Sequence, residues 1–217
     1  CAKCESKFKG FMCSTGDAIS EKISQFKTSN NYGAGDAVFR AGDLPSGIFS
    51  VRRGIVKLES LNEDGHAHTH RFVGAGGILG YRSFFKGGAY TKSAIAMEDT
   101  EICFLPKKEV LKLFSEHSEL GFKMIYQLSA DLESAETKWT DQIDKGASAR
   151  VADALLFLNK KFSGSSWTRK EIAEWAGTTT ETVIRSLAQF EKEGIISQNY
   201  KNFNILSESR LKEKTAA

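Results

Sequence analysis

One stretch decides the fold: residues 168–194, TRKEIAEWAGTTTETVIRSLAQFEKEG. Thr168 and Glu171 have the spacing of a capping box, which starts a helix, and Thr178 with Glu181 repeats that spacing ten residues later. Gly177 lies between the two boxes, where a tight turn needs a residue that tolerates positive φ. The stretch therefore predicts two short helices joined by a turn, the pattern of a helix-turn-helix motif.

The second predicted helix carries the candidates for contact with bases. In a helix-turn-helix the N-terminal turn of the second helix enters the major groove. The side chains on that turn are Thr179, Thr180, Glu181, Ile184 and Arg185. Arg185 can donate two hydrogen bonds to guanine, and the Glu181 carboxylate can accept one from cytosine. The alternatives are that Glu181 only caps the helix and that Arg185 only contacts phosphate or solvent.

A predicted hairpin follows the second helix. Residues 194–206 form two short apolar runs around a Lys201-Asn202 turn, which makes the motif a winged variant. Lys201 is expected to contact phosphates, together with Arg169 and Lys170 at the start of the first helix. We include Thr168, at the same helix start, among the DNA-binding candidates.

The N-terminal half shows a different pattern. Between Tyr32 and Pro106, short apolar runs such as 47–51 and 54–58 are separated by glycines at regular intervals. Strand-length runs with recurring turn residues are typical of an all-β roll or barrel. This half is therefore expected to consist mostly of strands.

A long helix is predicted from about Ser118, after a short one at 107–114. Uncharged residues recur along the long helix at alternating intervals of four and three, as in the seam of a coiled coil. They are Gly121, Ile125, Leu128, Leu132, Ala135, Trp139 and Gln142. We expect this seam to pair with a second copy of the chain. The alternative is that the apolar stripe lies on the chain's own β domain.

Composition narrows the functional class. No apolar run is long enough to span a bilayer and no secretory signal opens the chain, so a cytoplasmic location without a membrane partner is expected. Neither a phosphate-binding loop nor an HExxH pattern is present, which argues against an enzyme. The chain has four cysteines, and a reducing compartment favours metal ligands over disulfides for them.

Together these features resemble the CRP/FNR family of transcription regulators over nearly the whole chain. The resemblance is strongest in residues 168–196, which contain Glu181 and Arg185, and next in residues 80–106. It implies an α+β fold made of a cyclic-nucleotide-binding-like β-roll (a jelly roll), a long dimerisation helix and a C-terminal winged helix-turn-helix. The corresponding segments are 1–19 (N-terminal cysteines), 20–115 (β-roll sensor), 116–145 (dimerisation helix) and 146–217 (DNA-binding domain).

The resemblance also implies how the chain acts. Family members are homodimers that bind a palindromic operator in double-stranded DNA and contact RNA polymerase. Residues at the positions of Glu181 and Arg185 read a TGA-type core. Ile184 replaces the serine or glycine that many members have, and we expect it to make an apolar contact with a thymine methyl group.

Cyclic AMP is not the expected ligand. Members that bind it have a Gly-Glu pair and, further on, an arginine that meets the cyclic phosphate. Here the first position reads Gly80-Tyr81-Arg82-Ser83, and Tyr90 or Lys92 falls near the position of the arginine. Without the guanidinium fork the phosphate would lose its paired hydrogen bonds. Lys92 and Arg82 leave a smaller anion or another nucleotide open.

The cysteines resemble those of the FNR-type oxygen sensors. Cys1, Cys4 and Cys13 match the N-terminal cysteines of those proteins, and Cys103 matches the cysteine of the β-roll. The resemblance implies a [4Fe–4S] cluster, for which four thiolates are the usual ligands, and a weaker dimer when oxygen or NO destroys the cluster. Zinc bound by the same residues, thiol redox sensing without metal, and a small-molecule signal are the open alternatives.

Three histidines form a separate pattern. His66, His68 and His70 alternate, so on a strand they would share one face, with neighbours about 6–7 Å apart. Two of them would be close enough to chelate a metal. The simpler interpretation is a strand face exposed to solvent.

Overall fold

The computed structural model describes residues 10–12, 15–63, 67–199 and 202–216. The chain divides into two compact units, Cys1–Leu128 and Ser129–Ala217. No helix in the described part of the chain is both long enough and apolar enough to cross a membrane.

The first unit contains the predicted β-roll. Its strands in chain order are β1 (Thr28–Tyr32), β2 (Ala37–Phe39), β3 (Gly47–Arg53), β4 (Val56–Leu61), β5 (Ala67–Val73), β6 (Ile78–Leu79), β7 (Ser93–Ala96) and β8 (Thr100–Pro106). They form two antiparallel four-stranded sheets, with the orders β1-β8-β3-β6 and β2-β7-β4-β5. The prediction of a roll built from short strands is confirmed.

Side chains on the strands alternate between two apolar clusters. The interior cluster of the roll includes Phe49, Val51, Tyr90 and Ile102. Leu105 lies three positions after Ile102 on β8 and packs in a second cluster, outside the roll. Because successive strand residues point to opposite faces, one strand supplies both clusters.

Helices cover the outer cluster. They are α1 (Asp17–Phe26), α2 (Tyr81–Lys86), α3 (Lys107–Glu116) and the first turns of α4 (Glu119–Asp144). Each contributes apolar side chains to the outer cluster, among them Ile23, Tyr81, Leu113, Leu120 and Met124. α4 is the predicted long helix, whereas α1 lacks a signal that we identified in the sequence.

The second unit holds the remaining residues of α4 and the winged helix-turn-helix. The elements after α4 are α5 (Ala147–Lys161), α6 (Arg169–Ala176), α7 (Thr180–Lys192), β9 (Ile196–Gln198), β10 (Phe203–Ile205), α8 (Glu208–Glu213) and a 3₁₀ turn (Lys214–Ala216). β9 and β10 pair antiparallel as the predicted wing. Leu155, Ile172, Val183 and Leu187 are fully buried, so the three helices share one core. The predicted fold class, α+β with a β-roll, a long helix and a winged helix-turn-helix, is confirmed.

Candidate DNA interface and cysteine site

The first helix of the motif starts with the predicted capping box. The Thr168 hydroxyl accepts a hydrogen bond from the Glu171 backbone N–H at 3.2 Å. The Thr168 backbone N–H in turn donates to the Glu171 carboxylate at 2.7 Å. At the other end Gly177 adopts the left-handed conformation, with φ 61°, and its N–H bonds to the Ala173 carbonyl. Both ends of α6 are therefore fixed by local sequence.

The second predicted cap lies one residue from the observed one. The sequence predicts a box from Thr178 to Glu181, and this prediction is wrong, because Thr179 is the residue that caps α7. Its hydroxyl accepts from the Thr182 backbone N–H at 3.2 Å. The Thr178 N–H still bonds back to Ala173 O, at 3.1 Å, as part of the turn that ends α6. The turn thus uses one more residue than the spacing of threonines suggests.

The predicted base-contacting side chains lie together on the exposed face of α7. Glu181, Ile184 and Arg185 are exposed, Ile184 by 52%, and residues three and four apart share one face of a helix. Thr180 is half-buried at the first helical position, and Thr179 is exposed.

Neighbouring groups act on both charged side chains of this face. The pKa of the Glu181 carboxyl is lowered by its own backbone N–H, by the Thr179 hydroxyl and by the charge of Arg185. One Arg185 guanidinium nitrogen lies 3.4 Å from the Thr182 hydroxyl. An ionised acceptor and a guanidinium donor therefore stand one turn apart, as paired reading of cytosine and guanine requires.

The candidate phosphate contacts differ from one another. Lys170 is open to solvent, with 77% of its side chain exposed. Arg169 is half-buried and its guanidinium donates to Gln198 Oε1 at 2.7 Å. Lys201 lies outside the described residues.

Two residues for which the sequence did not predict this role hold the turn of the motif. Gln142 of α4 donates to the Ala176 carbonyl at 3.2 Å, and a side chain at Gly177 would overlap its amide. Arg150 of α5 donates to the carbonyls of Ala176 at 3.0 Å and Gly177 at 3.1 Å. Because uncharged glutamine fits the four-three pattern of α4, its role as a cap for α6 is hidden in the sequence.

The predicted dimer seam is exposed within the single chain. Ile125, Leu128, Leu132, Ala135 and Trp139 are all exposed, Leu132 by 59% and Trp139 by 70%. Phe122 and Ile143 continue the same stripe at spacings of three and four, and they are exposed as well. These two were missed because each follows an uncharged residue, Gly121 or Gln142, that also fits the spacing.

Cys103 is buried on β8, where it pairs with Ser29 of β1. Its sulfur lies 3.4 Å from the Lys27 ammonium nitrogen and 3.7 Å from the Ser29 hydroxyl. By strand alternation its side chain points to the same side of β8 as Leu105, toward the outer cluster. Lys27 and Ser29 are the neighbours that the sequence does not reveal.

The other predicted ligands, Cys1, Cys4 and Cys13, lie outside the described residues. Within the described ranges, no three His, Cys, Asp or Glu side chains are grouped so that they could hold a metal ion. His68 and His70 lie on one exposed face of β5, and His70 Nε2 is 2.7 Å from the Ser60 hydroxyl. His66 lies outside the described residues.

Residues 10–12, just before Cys13, are anchored on the first unit. Met12 is buried in the outer cluster, and Phe11 stacks on Phe114 of α3 with 6.3 Å between ring centroids. Gly10 lies so close to Gly76 that a side chain there would overlap the Gly76 carbonyl. The chain leading into Cys13 is therefore held against the roll.

Aromatic side chains occupy the roll beside Gly80. Tyr90 stacks on Phe39 with 3.9 Å between ring centroids, and burial with the nearby charge of Asp43 raises the pKa of Tyr90 to about 12. The hydroxyl of buried Tyr81 accepts from Arg71 at 2.7 Å. Tyr81 follows Gly80, at the place where the resemblance puts the glutamate of cAMP-binding members.

Lys92 is half-buried, and Arg82 is close enough for its charge to act on it. Burial and the charge of Arg82 both lower the pKa of Lys92.

Two family models match the chain. Residues 29–117 match a cyclic nucleotide-binding domain, and residues 149–214 match a Crp-like helix-turn-helix domain. The first covers the roll and the second covers the unit that contains α6, α7 and the wing. The two matches follow the chain in the same order as the β-roll and the helix-turn-helix.

Known relatives agree with these matches. The cyclic AMP receptor protein of Thermus thermophilus is 30% identical over 167 residues, 76% of this chain and 77% of that protein. The fumarate and nitrate reduction regulatory protein of Vibrio cholerae is 26% identical over 188 residues, 82% of this chain and 75% of that protein. The structure of FixK2 from Bradyrhizobium japonicum has the same fold, with a TM-score of 0.78 and 23% identity, and the match covers 88% of this chain and 98% of FixK2. The chain belongs to the CRP/FNR family of DNA-binding transcription regulators, whose members act as dimers.

Proposed function

We propose that this regulator binds a palindromic, TGA-type operator as a homodimer and that a [4Fe–4S] cluster sensitive to oxygen or NO controls the binding. In this proposal residues 1–19 and the β-roll at 20–115 sense the signal, residues 116–145 dimerise and residues 146–217 read DNA. RNA polymerase is the proposed protein partner, because the family resemblance implies it, and the cytoplasm is the proposed location.

The observation that carries the DNA-reading part is the exposed group of Glu181, Ile184 and Arg185 on the first turns of α7. The group offers one acceptor, one apolar side chain and one guanidinium fork, which match cytosine, thymine and guanine edges in the major groove. Thr168, Arg169, Thr179, Thr180 and Lys201 remain candidates for contacts that hold the motif on the duplex.

The exposed stripe on α4 supports the homodimer. Ile125, Leu132 and Trp139 leave a large apolar surface on one side of the helix. Apolar side chains at spacings of three and four interlock best with an equivalent helix, so a second copy of this chain is the proposed partner. Two copies present two recognition helices, which explains a palindromic operator.

The cysteine chemistry supports the cluster. Cys1, Cys4, Cys13 and Cys103 would hold it, and four thiolates are its usual ligand set. When bound, the cluster supplies sensitivity to oxygen and NO. The Lys27 ammonium and the Ser29 hydroxyl lie 3.4 and 3.7 Å from the Cys103 sulfur. Both can donate hydrogen bonds to a ligating thiolate.

The outer cluster offers a connection from the cysteines to the seam. Met12, next to Cys13, packs in the same cluster as Leu120 and Met124 of α4. Phe122 and Ile125 lie on the exposed side of the same helical turns. Fixing the segment that contains Met12 would therefore bias the position of the first turns of the proposed dimer helix.

Aromatic packing in the roll argues for a signal other than cAMP. Tyr90 and Phe39 stack inside the roll beside Gly80, and Tyr81, which follows Gly80 where the resemblance puts the glutamate of cAMP-binding members, has its hydroxyl bonded to Arg71. A ligand entering there would have to displace buried aromatic side chains.

Anaerobic purification of the full chain tests the cluster. We expect about four iron and four sulfide per chain and absorbance that bleaches in air. The Cys103→Ser variant should lose the iron, whereas Asn31→Ala, a change at an exposed position of the same strand β1, should keep it. Absence of iron after reconstitution would contradict the cluster, and zinc in its place would favour a structural metal.

A further inference from the structure

A chain of hydrogen bonds links both helices of the motif to the wing. Arg169, the first residue of α6, donates from one terminal nitrogen to Gln198 Oε1 at 2.7 Å and to the Asn199 carbonyl at 3.2 Å. Its other terminal nitrogen is buried and has no hydrogen-bond partner among the described residues. The guanidinium is thus directed at the end of β9, and one of its terminal nitrogens is out of contact with solvent.

Gln198 continues the chain to the recognition helix. Its backbone N–H donates to Glu191 Oε1 at 3.1 Å, and its side-chain amide donates to Glu191 Oε2 at 3.0 Å. Glu191 lies near the end of α7, so one carboxylate holds β9 through both of its oxygens. Charged acceptors shorten and strengthen such bonds.

Glutamine is well suited to the middle of this chain. Its amide oxygen accepts from the Arg169 cation while its amide nitrogen donates to the Glu191 anion. Neither a carboxylate nor an apolar side chain offers both functions. The wing turn continues directly from this point, since the Asn199 N–H bonds to the Asn202 carbonyl at 2.9 Å.

We infer that Arg169 is a positioning residue, which fixes the wing against the recognition helix through Gln198 and Glu191 rather than binding phosphate itself. The inference rests on the proposed reading of DNA by α7. It assigns a different role to Arg169, which the sequence pattern predicts to contact the DNA phosphates. Lys170, the exposed neighbour, has its ammonium nitrogen 4.0 Å from Glu174 Oε1 and is left as the basic residue of this helix start that faces solvent and can reach a phosphate.

A double-mutant cycle tests the inference. Operator affinity is measured for the wild type, Arg169→Met, Gln198→Met and the double variant, on a palindromic duplex with two TGA half-sites, at several salt concentrations. We expect each single variant to bind roughly fivefold to tenfold more weakly and the double variant to bind no more weakly than the worse single one. The slope of affinity against salt should be the same for both single variants.

Lys170→Met is the matched control. As an exposed cation it should lower the salt slope by about one when removed, whichever duplex is used. Arg169→Met would overturn the inference if it lowered the salt slope in the same way and if the double variant lost affinity by the product of the two single losses. Arg169 would then bind phosphate.

Glu191→Ala is an independent test, because the two explanations predict opposite changes in operator affinity. Removal of a carboxylate near DNA should tighten binding if only Coulomb attraction matters. Positioning of the wing requires weaker binding instead, so tighter binding overturns the inference. Thermal unfolding of each variant shows that the domain is folded before its affinity is compared.

The two proposals fail differently. If the wild-type chain does not prefer the palindromic duplex over a scrambled one, the proposed reading of DNA fails and the inference fails with it. If the wild type binds the palindrome and the cycle is additive, only the role of Arg169 is overturned.

Discussion

The DNA-reading surface and the cysteine site of this chain are assembled in opposite ways. Hydrogen bonds of the base-reading side chains on α7 join residues close in sequence, such as Thr179 with Thr182, or Arg185 with Thr182. Around Cys103 the neighbours are Lys27 and Ser29, which are 76 and 74 residues away. The first site depends on helix caps, and the second depends on the register of β1 against β8.

This difference explains which site a sequence reveals. Caps and turns follow from a few adjacent residues, so they appear as a motif. Strand register is set by the packing of a whole sheet, and a shift of one residue would turn Cys103 to the other face. The same contrast makes the two regions separable by experiment, because a change at one should leave the other intact.

A charge on the dimer seam should produce the largest effect. Leu132→Asp places a carboxylate on the exposed stripe of α4, where two copies would bring two charges together in an apolar contact. We expect a monomer by sedimentation and an operator affinity lower by about 100-fold or more, because bivalent binding is lost. Iron content under anaerobic conditions should be unchanged, which would keep the two regions distinct.

Ser134→Asp is the control for that experiment. It adds the same charge to the same helix at an exposed position off the stripe. A dimeric Leu132→Asp variant would contradict the seam, and equal dissociation by both variants would indicate a general effect of charge on α4.

A smaller effect is expected at the reading surface. Arg185→Ala should cost about 1–3 kcal/mol on the cognate half-site and relax discrimination at the guanine position, since a bidentate contact is lost. Competition between duplexes that differ at one base pair measures both quantities. Lys192→Ala removes an exposed cation from the last turn of the same helix and should not change discrimination. Equal weakening on every duplex would mean that Arg185 contacts only phosphate.

The order of α4, α5, α6, α7 and the wing could be predicted from the sequence, because apolar periodicity and caps are local signals. The exact cap of α7 could not, since Thr178 and Thr179 are equivalent in composition and only the turn after Gly177 separates them. The role of Gln142 was hidden for a similar reason, since an uncharged residue fits a seam and a cap equally well.

In the first unit the β-roll could be predicted from the sequence, but the helices and the segment that cover its outer cluster could not. α1 and the docking of Met12 depend on a cluster assembled from several separate stretches of chain. No local pattern in residues 10–26 indicates that partner. The family resemblance therefore predicts that the four cysteines share one site, whereas the neighbours of Cys103 are known only from the three-dimensional packing.

Lys138 of α4 lies in the same unit as the reading surface. Its ammonium nitrogen is 3.7 Å from the centroid of the Trp175 ring, and Trp175 stacks on Phe157 at 4.5 Å. Burial lowers the pKa of Lys138 from 10.5 to about 8. Three helices, α4, α5 and α6, thus meet around a cation that is held away from water.

The smallest predicted effect follows from this pKa. Between pH 8 and 10.5 the unfolded chain keeps a proton that folded Lys138 has lost, so the free energy of unfolding should rise with pH across that interval. Relative to Lys138→Met, the wild type should gain about 2–3 kcal/mol between about pH 7 and about pH 10. Urea unfolding of both proteins measures the difference, and Lys170→Met, at an exposed lysine, should show none. A constant difference between wild type and Lys138→Met would mean that contact with the ring of Trp175 offsets burial and keeps the cation charged.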